Sequence, residues 1–210
     1  NLYNIAMKKV LLTAFEPFGG RGVNPALQVM AAIKPTMFRN LSLYKAALPV
    51  SGKAIGPKIR SLIDGLKPDY IVSLGMAEGE AAVRVERFAL NIRDYRIKDN
   101  DGWRPEGTLI HPAGPAAYFV NCDTARLTAA IAKAGVPVYV SNHAGTYVCN
   151  NLMYEAMHAI ATAGLKTKFA FIHLPLTTTM AAAEKNRAIQ PSLPLELQIK
   201  AAVAVLKALK

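Results

Sequence analysis

Apolar positions in this chain fall into short continuous runs, separated by longer stretches where they recur every three or four residues. The first run, residues 8–15 (KKVLLTAF), is rich in β-branched and aromatic residues and stops at EPFGGRG. A run of that length bounded by turn residues predicts a buried strand followed by a loop. Residues 24–34 (NPALQVMAAIK) place Asn at a cap position and Pro at the first helical position, which predicts a helix. Residues 42–50 predict a second strand and 69–77 a third. Between them, residues 51–66 align Ile55, Ile59, Leu62, Ile63 and Leu66 on one helical face.

From residue 81 the pattern changes. Residues 81–97 alternate loosely and read as strand-like and partly irregular, and 99–115 form a turn-rich excursion. Residues 116–135 predict a helix ended by Gly135, 136–142 a strand, and 145–164 a helix ended by Gly164. Residues 167–175 predict the last core strand and 195–210 a final amphipathic helix. Strands alternating with helices argue for a largely parallel sheet covered on both faces. Sites in such sheets gather beyond the carboxyl ends of the strands. That rule selects the loops after Phe15 and Leu74, the loop before Cys149, and the segment around His173.

The 210 residues suit one domain, expected over residues 7–210, with residues 1–6 (NLYNIA) reading as an added leader before a natural start at Met7. No apolar run reaches the roughly 18 residues of a membrane span, and no signal-peptide pattern is present. Two cysteines do not make a disulfide framework, and the expected compartment is the cytoplasm. The formal charge of +11 is spread along the chain with no basic block and no aromatic interleaving, so no nucleic-acid partner is expected.

Candidate chemistry centres on Cys149, close to the start of the helix beginning near residue 145. Unpaired backbone N–H groups and the positive end of the helix dipole favour a thiolate there. The competing reading is a small buried apolar residue beside Val148 and Leu152. Cys122, in the middle of the predicted helix 116–135, reads as structural. A nucleophilic cysteine needs a base and an orienting group. His111 lies in the excursion and His158 points away along the helix, whereas His143 and His173 both end predicted strands, and the geometry prefers His173. Glu86, flanked by apolar residues, is an unusual carboxylate for a strand interior unless it has a partner. The glycines of FEPFGGRG match neither a P-loop nor a dinucleotide fingerprint, and its two phenylalanines suit a small flat apolar pocket. No metal-binding signature is present.

The segments LLTAFEPFGGRGVNPA, VRVERFALNIRDYRI, GPAAYF, VSNHAGTYVCNNLMY and FIHLPL, in this order, resemble the pyroglutamyl peptidase I (pyrrolidone carboxyl peptidase) family of cysteine peptidases. The spacing of Glu86, Cys149 and His173, 63 and 24 residues apart, fits that family's catalytic trio. The resemblance implies a three-layer α/β/α sandwich on a mixed, mostly parallel sheet, no cofactor, and assembly into homo-oligomers (tetramer or dimer). It implies substrates that are peptides carrying an N-terminal pyroglutamate, and a thioester acyl-enzyme. Cys149 would be the nucleophile, His173 the base and then the acid, and Glu86 the group orienting the imidazole. The backbone N–H of Cys149 and Arg96 would support the oxyanion. Phe15 and Phe18 would flank the ring, with Asn24, Met76 and Val148 completing the pocket.

Three departures stand out. GMAEGE (75–80) replaces the family's glycine- and arginine-rich turn, with Met76 where Gln is frequent. Arg84 replaces a small hydroxyl residue, and His143 stands where Ser or Thr is usual. A His143 close to the thiolate would shift the acid limb of activity. These changes keep open a second reading, an altered paralogue that binds pyroglutamyl peptides with little turnover.

Overall fold

The structure, a computed structural model, describes residues 7–184 and 190–209; the expected leader at residues 1–6 lies outside them. The elements in chain order are β1 (Lys8–Phe15), α1 (Pro25–Ala32), β2 (Leu41–Leu48), α2 (Ile55–Leu66), β3 (Tyr70–Met76), β4 (Val83–Glu86) and β5 (Phe88–Leu90). They continue with β6 (Ala117–Phe119), α3 (Thr124–Lys133), β7 (Val138–Ser141), α4 (Val148–Thr162), β8 (Lys168–Leu174), α5 (Thr178–Ala183) and α6 (Leu195–Ala208).

The main sheet has the order β2-β1-β3-β8-β4-β7. Strands β2, β1, β3 and β8 run parallel, β4 pairs antiparallel with β8, and β7 is parallel to β4. The two-strand reversal makes the sheet mixed while leaving it mostly parallel. Alternation along β1 divides its side chains between two cores. Val10, Leu12 and Ala14 pack with α1, α3 and α6, whereas Leu11 and Phe15 pack with α2 and α4. On β8, Ala170, Ile172 and Leu174 face the first core, so Phe169, Phe171 and His173 face α4. This period-2 split is what gives a fully covered sheet near-continuous apolar strands.

Several boundaries differ from the sequence expectation. The stretch expected as one helix over 116–135 divides into β6, which pairs with β5, and α3, which Asp123 caps by accepting from the Arg126 N–H. Cys122 therefore lies in the turn ahead of α3 rather than inside a helix. Its N–H donates to the Phe169 carbonyl, and burial pushes its thiol up to about 12. The helix expected from residue 145 starts at Val148, after a turn in which Gly145 has φ +79°. Because β7 runs opposite to β8, its end at Ser141 pairs with Glu86, level with the middle of β8. The six-residue loop that follows leads into α4. The short helix α5 was not expected. No helix among the described residues is long and apolar enough to cross a membrane.

Candidate active site

His173 and Glu86 form the centre of the site. Glu86 ends β4 and His173 is the penultimate residue of β8, so the antiparallel pairing of these strands brings them together from 87 positions apart. His173 Nδ1 lies 2.7 Å from Glu86 Oε1, and both side chains are buried. The neighbouring strand makes room for the ring at Gly75, which sits opposite His173 in β3. A Cβ at Gly75 would come within 2.7 Å of Phe171 and 3.0 Å of His173 Cδ2.

Burial pushes the Glu86 carboxyl up, but the hydrogen bond and charge of His173, the Ser141 hydroxyl and Arg84 together hold it below the usual carboxylate range. His173 is held below the usual imidazole range, chiefly because burial disfavours the imidazolium; Glu86 opposes this and Arg84 adds to it. An anionic Glu86 facing Nδ1 favours the tautomer with the proton on Nδ1, which leaves Nε2 free to accept one.

Cys149 is the second residue of α4, after the Tyr147 cap position. With Phe15, Phe18, Asn24, Val50, Met76, Tyr147 and Val148 it bounds a cavity of about 10 Å³. That is space for roughly one water, so the walls are nearly in contact. The residue is half-buried, yet its sulfur is enclosed. Burial is the largest influence on the thiol and, with the charge of Glu86, pushes it up to about 12. The charge of Arg84 and the residue's own backbone N–H pull the other way. The thiolate expected from the helix N-terminus is therefore not the resting form while the cavity is closed.

The remaining candidates divide. Phe15, Phe18, Met76 and Val148 line the cavity with Cys149. Asn24 lines it too, but its amide is engaged: Oδ1 accepts from the Ala26 N–H at 3.0 Å and Nδ2 donates to the Glu16 carbonyl at 3.1 Å. Arg96 is exposed, and its charge reaches Tyr147, whose hydroxyl donates to the Lys98 carbonyl. His143 is exposed as well, and its Nδ1 accepts from the Gly145 N–H at 3.2 Å. The charges acting on Cys149 are those of Glu86 and Arg84, not His143. His158 bonds Tyr118 and His111 bonds Glu155, away from the cysteine. No group of three or more His, Cys, Asp or Glu among the described residues is placed to hold a metal.

A family model described as pyroglutamyl peptidase matches residues 8–210. The chain belongs to the pyroglutamyl peptidase family. A pyrrolidone-carboxylate peptidase of Thermococcus onnurineus is 39% identical, over 95% of this chain and 97% of the relative. The counterpart from Vibrio vulnificus is 37% identical, over 90% of this chain and 87% of its own length. Among solved pyroglutamyl peptidase family structures, the pyrrolidone carboxyl peptidase of Thermococcus litoralis superposes with a TM-score of 0.90 at 35% identity, covering 96% of this chain and 93% of its own.

Two residues of this family member that sequence reasoning passed over hold the helix bearing Cys149 in place. Asn150 and Asn151 follow Cys149 and are fully buried. Asn150 accepts from the Leu90 N–H at 2.8 Å and donates to the Leu90 and Ile92 carbonyls. Asn151 donates to the Gly52 carbonyl at 2.9 Å. The available signal was a pair of amides on the apolar side of a helix, where a buried polar group needs partners.

Proposed function

We propose that the chain is a cysteine exopeptidase that hydrolyses the peptide bond following an N-terminal pyroglutamyl residue. The observation that carries this reading is the buried 2.7 Å contact between His173 Nδ1 and Glu86 Oε1, on the sheet face covered by the helix that bears Cys149. Family membership supplies the substrate class. Pyroglutamate is a neutral lactam without a free amine, so it suits apolar walls such as Phe15, Phe18, Met76 and Val148 and needs no carboxylate partner. A five-membered ring exceeds the cavity's about 10 Å³, so its entry requires the walls to part. Phe18, half-buried on the loop after β1 and packed against Tyr147, is one of those walls.

In this mechanism Nε2 of His173 takes the Cys149 proton and the thiolate attacks the pyroglutamyl carbonyl carbon. The oxyanion accepts from the Cys149 backbone N–H, a donor held by the helix start and worth about 3 kcal/mol in comparable sites. Arg96 would support that charge from the loop beyond β5. The tetrahedral species collapses as the imidazolium protonates the departing amine, leaving a thioester on Cys149. Water, deprotonated by His173, then attacks the thioester and releases pyroglutamate and the thiol. Glu86 holds the imidazole in place and stabilises its protonated form.

Release of an aniline from a pyroglutamyl anilide tests the reading. The parent is expected to turn over at neutral pH under reducing conditions, with Cys149→Ser lowering kcat/KM at least roughly a thousandfold. Folded parent protein without turnover would reject it. The closed cavity and protonated thiol favour, as a second reading, binding with little turnover. Calorimetric binding of a pyroglutamyl peptide that the parent leaves uncleaved would select it.

A further inference from the structure

Among the described residues, Arg84 contacts both members of the buried Glu86–His173 pair, and the mechanism above does not use it. It lies opposite His173 in the β4–β8 pairing and opposite Tyr139 in the β4–β7 pairing. Its guanidinium spans three partners. Nε is 3.1 Å from Glu86 Oε1, Nη2 is 3.2 Å from His173 Nδ1, and Nη1 is 3.2 Å from Glu80 Oε1. Tyr139 donates to the other Glu80 oxygen at 2.9 Å, so the cation's outer partner is itself fixed. Glu86 Oε1 thus faces an imidazole and a permanent cation at once.

We infer that Arg84 is a positioning residue that sets the working pH of the Cys149–His173 pair, drawing both limbs of the activity profile to lower pH. The inference rests on the proposed roles of Cys149 as nucleophile and His173 as base. An arginine guanidinium is a fixed positive charge. Beside Nδ1 it opposes a second positive charge on the imidazole, and it shares the carboxylate that would otherwise stabilise that charge alone. Toward the sulfur its sign is favourable, because a thiolate gains a nearby cation. Only 19% of the Arg84 side chain is exposed, so solvent screens it less than a surface charge.

The other ionisable groups facing the pair fit the same account. Glu80 and Glu86 come from β4 and the turn before it, and they favour the imidazolium. Ser141 and Tyr139 come from β7 and are neutral, contacting Glu86 and Glu80. Of these charged groups, Arg84 alone favours the thiolate while opposing the imidazolium.

The test compares the parent with Arg84→Gln, Arg84→Lys and Glu80→Gln. One readout is the pH dependence of kcat/KM on a pyroglutamyl anilide. The other is the pH dependence of iodoacetamide alkylation at Cys149, scored by mass spectrometry. Arg84→Gln is expected to move both activity limbs and the alkylation curve up by roughly half a unit or more. Arg84→Lys keeps them near the parent's. Glu80→Gln moves them down through the loss of its own charge; adding Arg84→Gln in that background, which leaves no unpaired Glu80 behind, is expected to move them back up and decides the matter if the single Arg84→Gln variant does not fold. Reduced amplitude with every curve in the parent's position would overturn the inference. A parent that fails to cleave the anilide would defeat the proposed function, while the alkylation curves would still report whether Arg84 acts on the thiol.

Discussion

Gly75 shows how much of the site depends on an atom that is missing. The residue lies in the middle of the sheet, and an added methyl would press on the Phe171 ring at 2.7 Å and on the edge of His173 at 3.0 Å. Both rings are walled in, with Phe171 and His173 already edge to face at 4.8 Å, so neither can retreat without disturbing the other. Overpacking of this kind costs about 1–3 kcal/mol. Gly75→Ala is therefore expected to lower Tm by about 2–10 °C. It is also expected to lower kcat more than it raises KM, because His173, the base of the proposed mechanism, is displaced while the pocket walls stay put. Calorimetry and steady-state kinetics on one preparation would check both, and a variant with parental Tm and kcat would show that the rings have slack. The same close packing explains why the cysteine rests protonated: the helix start offers it N–H groups, but enclosure outweighs them until the cavity opens.

At the level of elements, the start of α4 is fastened by side chains rather than by a cap, since Tyr147 provides no side-chain capping bond. Asn150 replaces it with three hydrogen bonds to the backbone of residues 90–92. Asn150→Ala would leave the partly buried Leu90 N–H and Ile92 carbonyl without this partner, while the Leu90 carbonyl keeps the Ile92 N–H, at a cost of about 1–3 kcal/mol. The expected result is a Tm lowered by about 3–10 °C in a thermal scan, with slower turnover. An unchanged Tm would mean that the helix is held elsewhere. The central strands β1, β3 and β8 were legible because they are continuous apolar runs, and α2 because it has a clear apolar face. The segment 116–135 was misread because Ala-Tyr-Phe-Val fits a helix locally, and β6 exists only through its distant partner β5. Glu86 was legible as a carboxylate in an apolar strand needing a partner. What Arg84 touches was not, because nothing in the periodicity of β4 says that the strand runs against β8. His143, which the sequence placed behind His173, is exposed with its ring turned back onto the Gly145 N–H.

For the whole molecule, the buried groups bracket the pH range of full stability. Glu86 and His173 both hold protons less readily when folded, so each contributes stability that is complete above its ordinary value and lost as pH falls below it. The loss starts below about 6.5, the ordinary His value, and deepens below 4.5, the ordinary Glu value. Cys122 and Cys149 hold their protons more tightly when folded, so their contribution is complete below the ordinary value of 9.0 and lost as pH rises toward 12. Urea unfolding at a series of pH values is expected to give a plateau between about 6.5 and 9, with His173→Gln reducing the acid slope; an acid slope unaffected by that variant would assign it to other groups. The order of the sheet carries a consequence for how the protein is made. Strand β8 sits between β3 and β4 but is synthesised after every other strand. Without β8 the sheet order divides into β2-β1-β3 and β4-β7, each with a bare edge toward the gap, and such edges pair readily with other chains. A nascent polypeptide that has emerged only through α4 thus carries Cys149 and Glu86 without His173, and the proposed catalytic trio is completed only by the strand that closes the sheet.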